Sequence, residues 1–246
     1  MAGRDHRFYG RKACEALCAV RPDAVQRAFF DEATAGAFGE LMRSLAARRR
    51  PYRVVDLEEL EKVSGTRHHE GVCLVADALE PPRAPELLEA LDDGPARWIF
   101  LDGVSNPHNV GAILRVAAHF GRSALAALPD ELPAISGAVA RIAEGGAEHV
   151  HALSWPDPSR ALDRLSGHGF VTVATVVSGG APLYEVALPP RVVFLLGAER
   201  EGVSEAALAA ADLTVTIPGT GDVESLNVAT AAAVLLGEHS RRHPGS

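Results

Sequence analysis

Cysteine is scarce: Cys14, Cys18 and Cys73 are the only three in 246 residues, and none belongs to a CxxC pair. An odd count without paired spacing excludes a disulfide framework and argues against a zinc cluster, so reduced and mostly buried thiols are expected. Cys14 and Cys18 are spaced to share a helix face, which leaves a metal half-site and small apolar packing as readings. Long apolar runs are missing too. No stretch approaches the roughly 20 residues needed to span a bilayer, and the opening MAGRDHRF lacks the apolar segment of a secretory signal. The expectation is a soluble, cytoplasmic protein with no membrane partner. Three strings are also absent: GxGxxG between a strand and its helix, GxxxxGK[ST], and the GxSxG elbow. Their absence argues against a Rossmann dehydrogenase, a P-loop enzyme and an α/β-hydrolase. Ten histidines include His68-His69 and the pair His149 and His151, but no third ligand is evident and no metal is expected.

The formal charge of −8 fits poorly with a protein that handles nucleic acid. Its distribution softens the objection, because residues 1–80 hold 13 Lys+Arg against 13 Asp+Glu and the remainder holds 11 against 19. Arg11-Lys12 and Arg48-Arg49-Arg50 are able to track phosphates, although a solvated helix end explains the arginine run equally well. Apolar residues make up 47% of the chain, enough for two modest domains.

Residues 1–78 read as a compact α/β unit. Helices are expected over Gly10–Val20, Thr34–Arg49 and Leu57–Val63, with strands over Arg27–Phe30, Tyr52–Val55 and Gly71–Ala76. Residues 79–96, rich in Pro, Glu and Asp, read as a linker with one possible short helix. Residues 97–246 alternate strands (Trp98–Leu101, Ala124–Leu128, Phe170–Val177, Val192–Leu196, Leu213–Ile217) with helices, among them Asn109–Phe120 and Val228–Arg242. That alternation predicts a largely parallel sheet covered on both faces, with ligands bound beyond the carboxyl ends of its strands.

Three segments fall at that edge: NPHNVGAILR at 106–115, LLGAEREGVS at 195–204 and IPGTGDVESLNVATAA at 217–232. Glycine after a buried strand lets a ligand approach bare backbone, while amides and hydroxyls orient a substrate, so three such turns suggest one shared cleft. Each position also has a plain structural explanation. Asn109 stands where a helix N-cap would, and Ser204, Ser225 or Asn227 also suit caps. Gly197 suits a simple turn and Glu199 a solvated loop charge. Arg115 lies six residues beyond Asn109, about 120° round an ideal helix, among Val110, Ile113, Leu114, Val116 and Ala117. Such a guanidinium needs an anion or several acceptors, as a structural ion pair or as a substrate clamp.

In order and spacing the three segments resemble the signature of the SpoU/TrmH branch of the SPOUT superfamily, RNA ribose 2′-O-methyltransferases. The resemblance covers nearly the whole chain. It is nearest to a bacterial tRNA/rRNA methyltransferase subgroup, on NPHN at 106–109, AEGGAEHV at 143–150 and GTG at 219–221, and GTRHHEGV at 65–72 resembles the family's substrate-binding domain. The resemblance implies a parallel-sheet SPOUT domain with a C-terminal trefoil knot, preceded by a small α/β substrate (RNA)-binding domain. It implies S-adenosylmethionine bound bent among turns at Thr175, Gly197, Ile217 and Leu226. RNA (tRNA or rRNA) is the implied partner, in a homodimer with the first motif near the subunit interface.

The family's characteristic polar set matches Asn109, Arg115, Glu199, Ser225 and Asn227. The implied chemistry is in-line attack of a ribose 2′-hydroxyl on a sulfonium methyl, which requires alignment and removal of a proton but no metal. Arg115 is the family's candidate for activating the hydroxyl. Because a guanidinium is very hard to deprotonate, orientation of the hydroxyl or an adjacent phosphate is the physically sounder role. Gly219, Ala229 and His69-Glu70 depart from the family's usual methionine, serine and His-Gln, which bears on substrate preference. A retired enzyme acting as an RNA-binding or ribosome-assembly factor is the competing reading.

Overall fold

The computed structural model describes residues 6–79, 84–91, 94–121, 123–128, 135–155 and 158–244. In chain order the elements begin β1 (His6–Tyr9), α1 (Arg11–Val20), β2 (Val25–Phe30), α2 (Glu32–Ala35), α3 (Gly39–Ala47), β3 (Tyr52–Val54), α4 (Leu57–Ser64) and β4 (Val72–Ala76). They continue α5 (Ala84–Glu89), β5 (Ala96–Asp102), α6 (Pro107–Phe120), β6 (Ala124–Ala127), α7 (Gly137–Ala143), β7 (His151–Ser154) and α8 (Pro158–Gly167). The last are β8 (Val171–Thr175), β9 (Ala181–Pro182), β10 (Arg191–Gly197), α9 (Glu205–Ala209), β11 (Leu213–Thr216) and α10 (Val228–Arg242).

The chain divides into two compact units, one of residues 1–80 with 134–149 and one of 81–133 with 150–246. The first is therefore discontinuous: α7 and the turn after it lie with the N-terminal residues, whereas the linear reading placed them in the second. Of the expected linker, 80–83 and 92–93 lie outside the described residues, α5 supplies its short helix, and β5 already begins at Ala96.

The first unit carries a four-stranded sheet in the order β1-β4-β2-β3. Its local structure follows from the sequence. In α1 the buried residues Ala13, Cys14 and Leu17 form one apolar stripe. Helix α4 starts at Asp56, whose carboxylate accepts the Glu59 N–H at 2.8 Å, and stops at Gly65 in the left-handed conformation, φ 76°. The helix expected over 34–49 is instead broken: Gly36–Phe38 forms a 3₁₀ turn that places the Phe38 ring on Phe30, centroids 5.2 Å apart. The returning segment is held by ion pairing, since Arg21 Nε donates to the nearly buried Glu148 carboxylate at 2.7 Å and its guanidinium lies over the Phe8 ring.

The thiols of the first unit are free. Burial pushes Cys18 and Cys73 up to about 12 and Cys14 well above its ordinary value, so all three stay protonated and unreactive.

The second unit carries a seven-stranded sheet in the order β7-β6-β5-β10-β8-β11-β9, with every pairing parallel. Its central strands β5 and β10 are continuous apolar runs, as a sheet buried on both faces requires. One residue breaks the pattern. Arg97, inside β5, is wholly buried; its Nε donates to His239 Nδ1 at 3.2 Å, and its Nη1 donates to the Phe120 carbonyl. An arginine only donates, so His239 Nδ1 is an acceptor and the ring proton sits on Nε2, which donates to the Pro189 carbonyl at 2.9 Å. The C-terminal helix is thus bolted to β5 and to the loop before β10 through one neutral imidazole.

Burial, reinforced by the Arg97 and His243 charges and opposed by the Pro189 bond, holds His239 down at about 4. In the unfolded chain a histidine titrates near 6.5, so between those values the unfolded chain binds more protons. This contribution is complete above about pH 6.5 and is lost as pH falls towards about 4, amounting to about 3 kcal/mol at most. Thermal denaturation from pH 7 to pH 4.5 checks it. The wild-type melting temperature is expected to fall over that window, and His239→Gln is expected to lose most of the slope; equal slopes would contradict the assignment.

Candidate active site

Because all pairings in the larger sheet are parallel, the carboxyl ends of its strands share one edge. Gly197 of β10 is level with Asp102 of β5, and Thr175 of β8 with Val215 of β11. The segments at 106–115 and 217–232 begin beyond this edge, and the segment at 195–204 crosses it.

In the first segment the helix cap is Asn106, not Asn109. The Asn106 side chain accepts the His108 N–H at 2.9 Å and Pro107 takes the first helical position. With the cap supplied by Asn106, the Asn109 side chain turns elsewhere, and its Nδ2 donates to Glu199 Oε1 at 3.1 Å. Asn227 does two things at once. Its Oδ1 caps α10 by accepting the Ala229 N–H at 2.9 Å, which turns its Nδ2 towards Asn109 Oδ1 at 3.0 Å and Glu199 Oε1 at 2.9 Å. The cap thus fixes the amide orientation of Asn227, and that in turn fixes Asn109. Side chains from residues 109, 199 and 227 close a three-membered polar cluster.

Packing makes this cluster possible. Helix α10 lies against α6, with Ala229 and Ala232 buried, so small side chains let the two helices approach at the ends that bear Asn227 and Asn109.

Gly197 is required by its own turn. Ala198 and Gly202 form a bridge, with the Gly202 N–H donating to the Ala198 carbonyl at 2.9 Å, and a Cβ on Gly197 would stand 1.9 Å from the Gly202 carbonyl carbon. Ser204 caps α9 by accepting the Ala207 N–H at 3.3 Å. Asp102 was not anticipated, and its Oδ2 accepts the Ser204 N–H at 2.6 Å. Thr175 Oγ1 is buried and has no hydrogen-bond partner among the described residues. Ile217 is half-buried and Leu226 is 44% exposed, an apolar side chain left open beside the cluster residue Asn227.

Arg115 is exposed on α6 rather than enclosed by the apolar residues around it in sequence, because the helix turns those towards the core. Ser225 is exposed and takes no part in the cluster bonds. Among the described residues no group of three or more His, Cys, Asp or Glu is placed to hold a metal ion. No helix among them is long and apolar enough to cross a membrane. Of the basic clusters, Arg11 and Lys12 pair with Glu15, and Arg48 donates to the Pro22 and Asp23 carbonyls. Arg49 and Arg50 are exposed.

Comparison with known proteins identifies the family. Residues 96–237 match the SpoU rRNA Methylase family, and residues 8–82 match the family described as RNA 2′-O ribose methyltransferase substrate binding. The chain belongs to the SpoU methylase family. It is 40% identical over 239 residues to YfiF of Escherichia coli O157:H7, an uncharacterized tRNA/rRNA methyltransferase, covering 96% of this chain and 68% of that one. It is 32% identical to the 23S rRNA (guanosine-2′-O-)-methyltransferase RlmB of Nitrosomonas europaea, over 96% of this chain and 91% of that one. The AdoMet-bound rRNA methyltransferase of Sinorhizobium meliloti shares the fold, with a TM-score of 0.80 at 19% identity over 98% of this chain and 89% of that one.

Proposed function

We propose that this protein is an S-adenosylmethionine-dependent RNA methyltransferase that modifies a ribose 2′-hydroxyl in rRNA or tRNA, working as a cytoplasmic homodimer. The observation that carries the reading is the Asn109–Glu199–Asn227 cluster, which joins all three family segments at the ligand-binding edge of the sheet. A retired enzyme would have no need of that assembled cluster.

The residues present fit the cofactor. The orphaned Thr175 hydroxyl, the bare backbone at Gly197, half-buried Ile217 and the open Leu226 side chain offer the polar and apolar partners that an adenosine and an amino-acid moiety require. When bound, the cofactor supplies an electrophilic sulfonium methyl. The chain's own residues do the rest. Arg115, exposed and always charged, orients the ribose or its phosphate. Asn109 and Asn227 hold Glu199, and Ser225 offers a hydroxyl next to Leu226. Alignment of the hydroxyl with the methyl is the main source of rate.

The RNA-binding role belongs in this reading to residues 1–78 and catalysis to 97–246. The C-terminal segment is proposed to thread the family's knot, consistent with the insertion of β10 between β5 and β8 and the return of α10 onto α6. Calorimetric titration with S-adenosylmethionine tests the reading: saturable binding that weakens in Thr175→Val supports it, and no binding by the wild-type chain would sink it.

A further inference from the structure

Glu199 is the acceptor on which the polar cluster converges, yet it sits in an exposed turn. That turn leaves β10 at Gly197, closes between Ala198 and Gly202, and departs through buried Val203 to Ser204. Its entry is fixed by the sheet, since Gly197 is still in register with Asp102. Its exit is held by the packing of Val203 and by a charge-assisted bond from the Ser204 N–H to Asp102 Oδ2 at 2.6 Å. A carboxylate accepting a backbone N–H is roughly twice as strong as a neutral pair. Asp102 makes a rigid anchor because it ends β5, whose other six residues are all buried.

We propose that Asp102 is a positioning residue for methyl transfer: through the Ser204 amide it fixes the exit of the 198–203 turn and so sets Glu199 against Asn109 and Asn227. The inference rests on the methyltransferase reading and adds to it a residue outside the polar set. Asp102 touches neither Asn109 nor Asn227 by any hydrogen bond seen here; its influence reaches them by way of the turn. Gly197, held by strand pairing, does not depend on it, so rate is affected and cofactor affinity is not.

A double-mutant cycle with Glu199→Gln tests this, measuring methyl incorporation into protein-free ribosomal RNA and into transcribed tRNA. Misplacement of a group that organises the site costs about tenfold to a hundredfold in rate, so Asp102→Ala is expected to lower kcat by at least tenfold. KM for RNA and the calorimetric Kd for S-adenosylmethionine are expected to stay within about twofold, a split a general loss of structure would not give. Asp102→Asn, whose amide oxygen still accepts the Ser204 N–H, is expected to recover most of the rate and to melt with the wild type. In the Glu199→Gln background Asp102→Ala is expected to have no further effect. Losses that multiply in the double variant, or a full kcat in Asp102→Ala, would overturn the proposal alone. A wild-type chain that transfers no methyl to either RNA would overturn the underlying reading with it.

Discussion

Replacing Arg115 with alanine is expected to lower methyl transfer by about a thousandfold or more while leaving the protein folded and able to bind its cofactor. The side chain is exposed on α6, so its removal leaves the apolar core of the helix intact. The rate is another matter. In the proposed mechanism this planar fork grips a phosphate or hydroxyl oxygen and fixes the attacking group, and alignment of reacting atoms can supply about 7–11 kcal/mol of a barrier. Arg115→Lys keeps the charge and loses the fork, and an intermediate rate is expected of it. Incorporation of labelled methyl into RNA, read beside a melting curve and a cofactor titration, separates the two effects. Near-normal turnover in Arg115→Ala would remove this arginine from the mechanism.

The second large effect is expected at Gly197. An alanine Cβ there would stand 1.9 Å from the Gly202 carbonyl carbon and 2.2 Å from the Val203 nitrogen, both backbone atoms with no rotamer to escape into. The 198–202 turn has to open. Overpacking of this kind costs about 1–3 kcal/mol, but the functional loss is expected to be larger, because the turn carries Glu199 and starts at the proposed cofactor contact. Gly197→Ala is therefore expected to show both a lowered melting temperature and a loss of cofactor binding. Gly219, where a Cβ meets nothing within 4 Å, serves as the control, and Gly219→Ala is expected to bind cofactor as the wild type does.

These two glycines illustrate what a sequence discloses. Both follow an apolar strand, and the pattern alone marks each as a turn; only the return of residues 202 and 203 over the strand end shows that one is sterically required and the other is not. The strongest patterns transferred directly. Helix α10 spans Val228–Arg242 as read, and β5, β10 and β11 lie on the expected apolar runs, with every end within two residues of the expected one. Strands with little apolar content were missed. In β1 only Phe8 is buried, and its strand character comes from antiparallel pairing with β4. In β7 only Leu153 is buried, and β6 provides its partner. The placement of 134–149 with the first unit depends on contacts such as Arg21 with Glu148, 127 positions apart, which no local pattern encodes.

The site divides in the same way. Asn109, Glu199 and Asn227 were legible as polar residues at strand ends, and the structure joins them. Asp102 was overlooked because its value lies in β5 running beside β10, a lateral relation that periodicity does not carry. Arg97 and His239 were overlooked for a similar reason, each being ordinary until the other is known to face it. The capping role read for Asn109 belonged to Asn106, three residues earlier, and this shift is what releases Asn109 to the cluster.

The account turns on methyl delivery to a ribose oxygen. The most direct measurement incubates the wild-type chain with S-adenosylmethionine carrying a labelled methyl and protein-free ribosomal RNA or tRNA, digests the RNA to nucleosides and locates the label by mass spectrometry. Label on a 2′-O-methylated nucleoside, absent when Arg115→Ala replaces the wild type, is the result expected. Label confined to a base, or none on RNA despite cofactor binding, would contradict it.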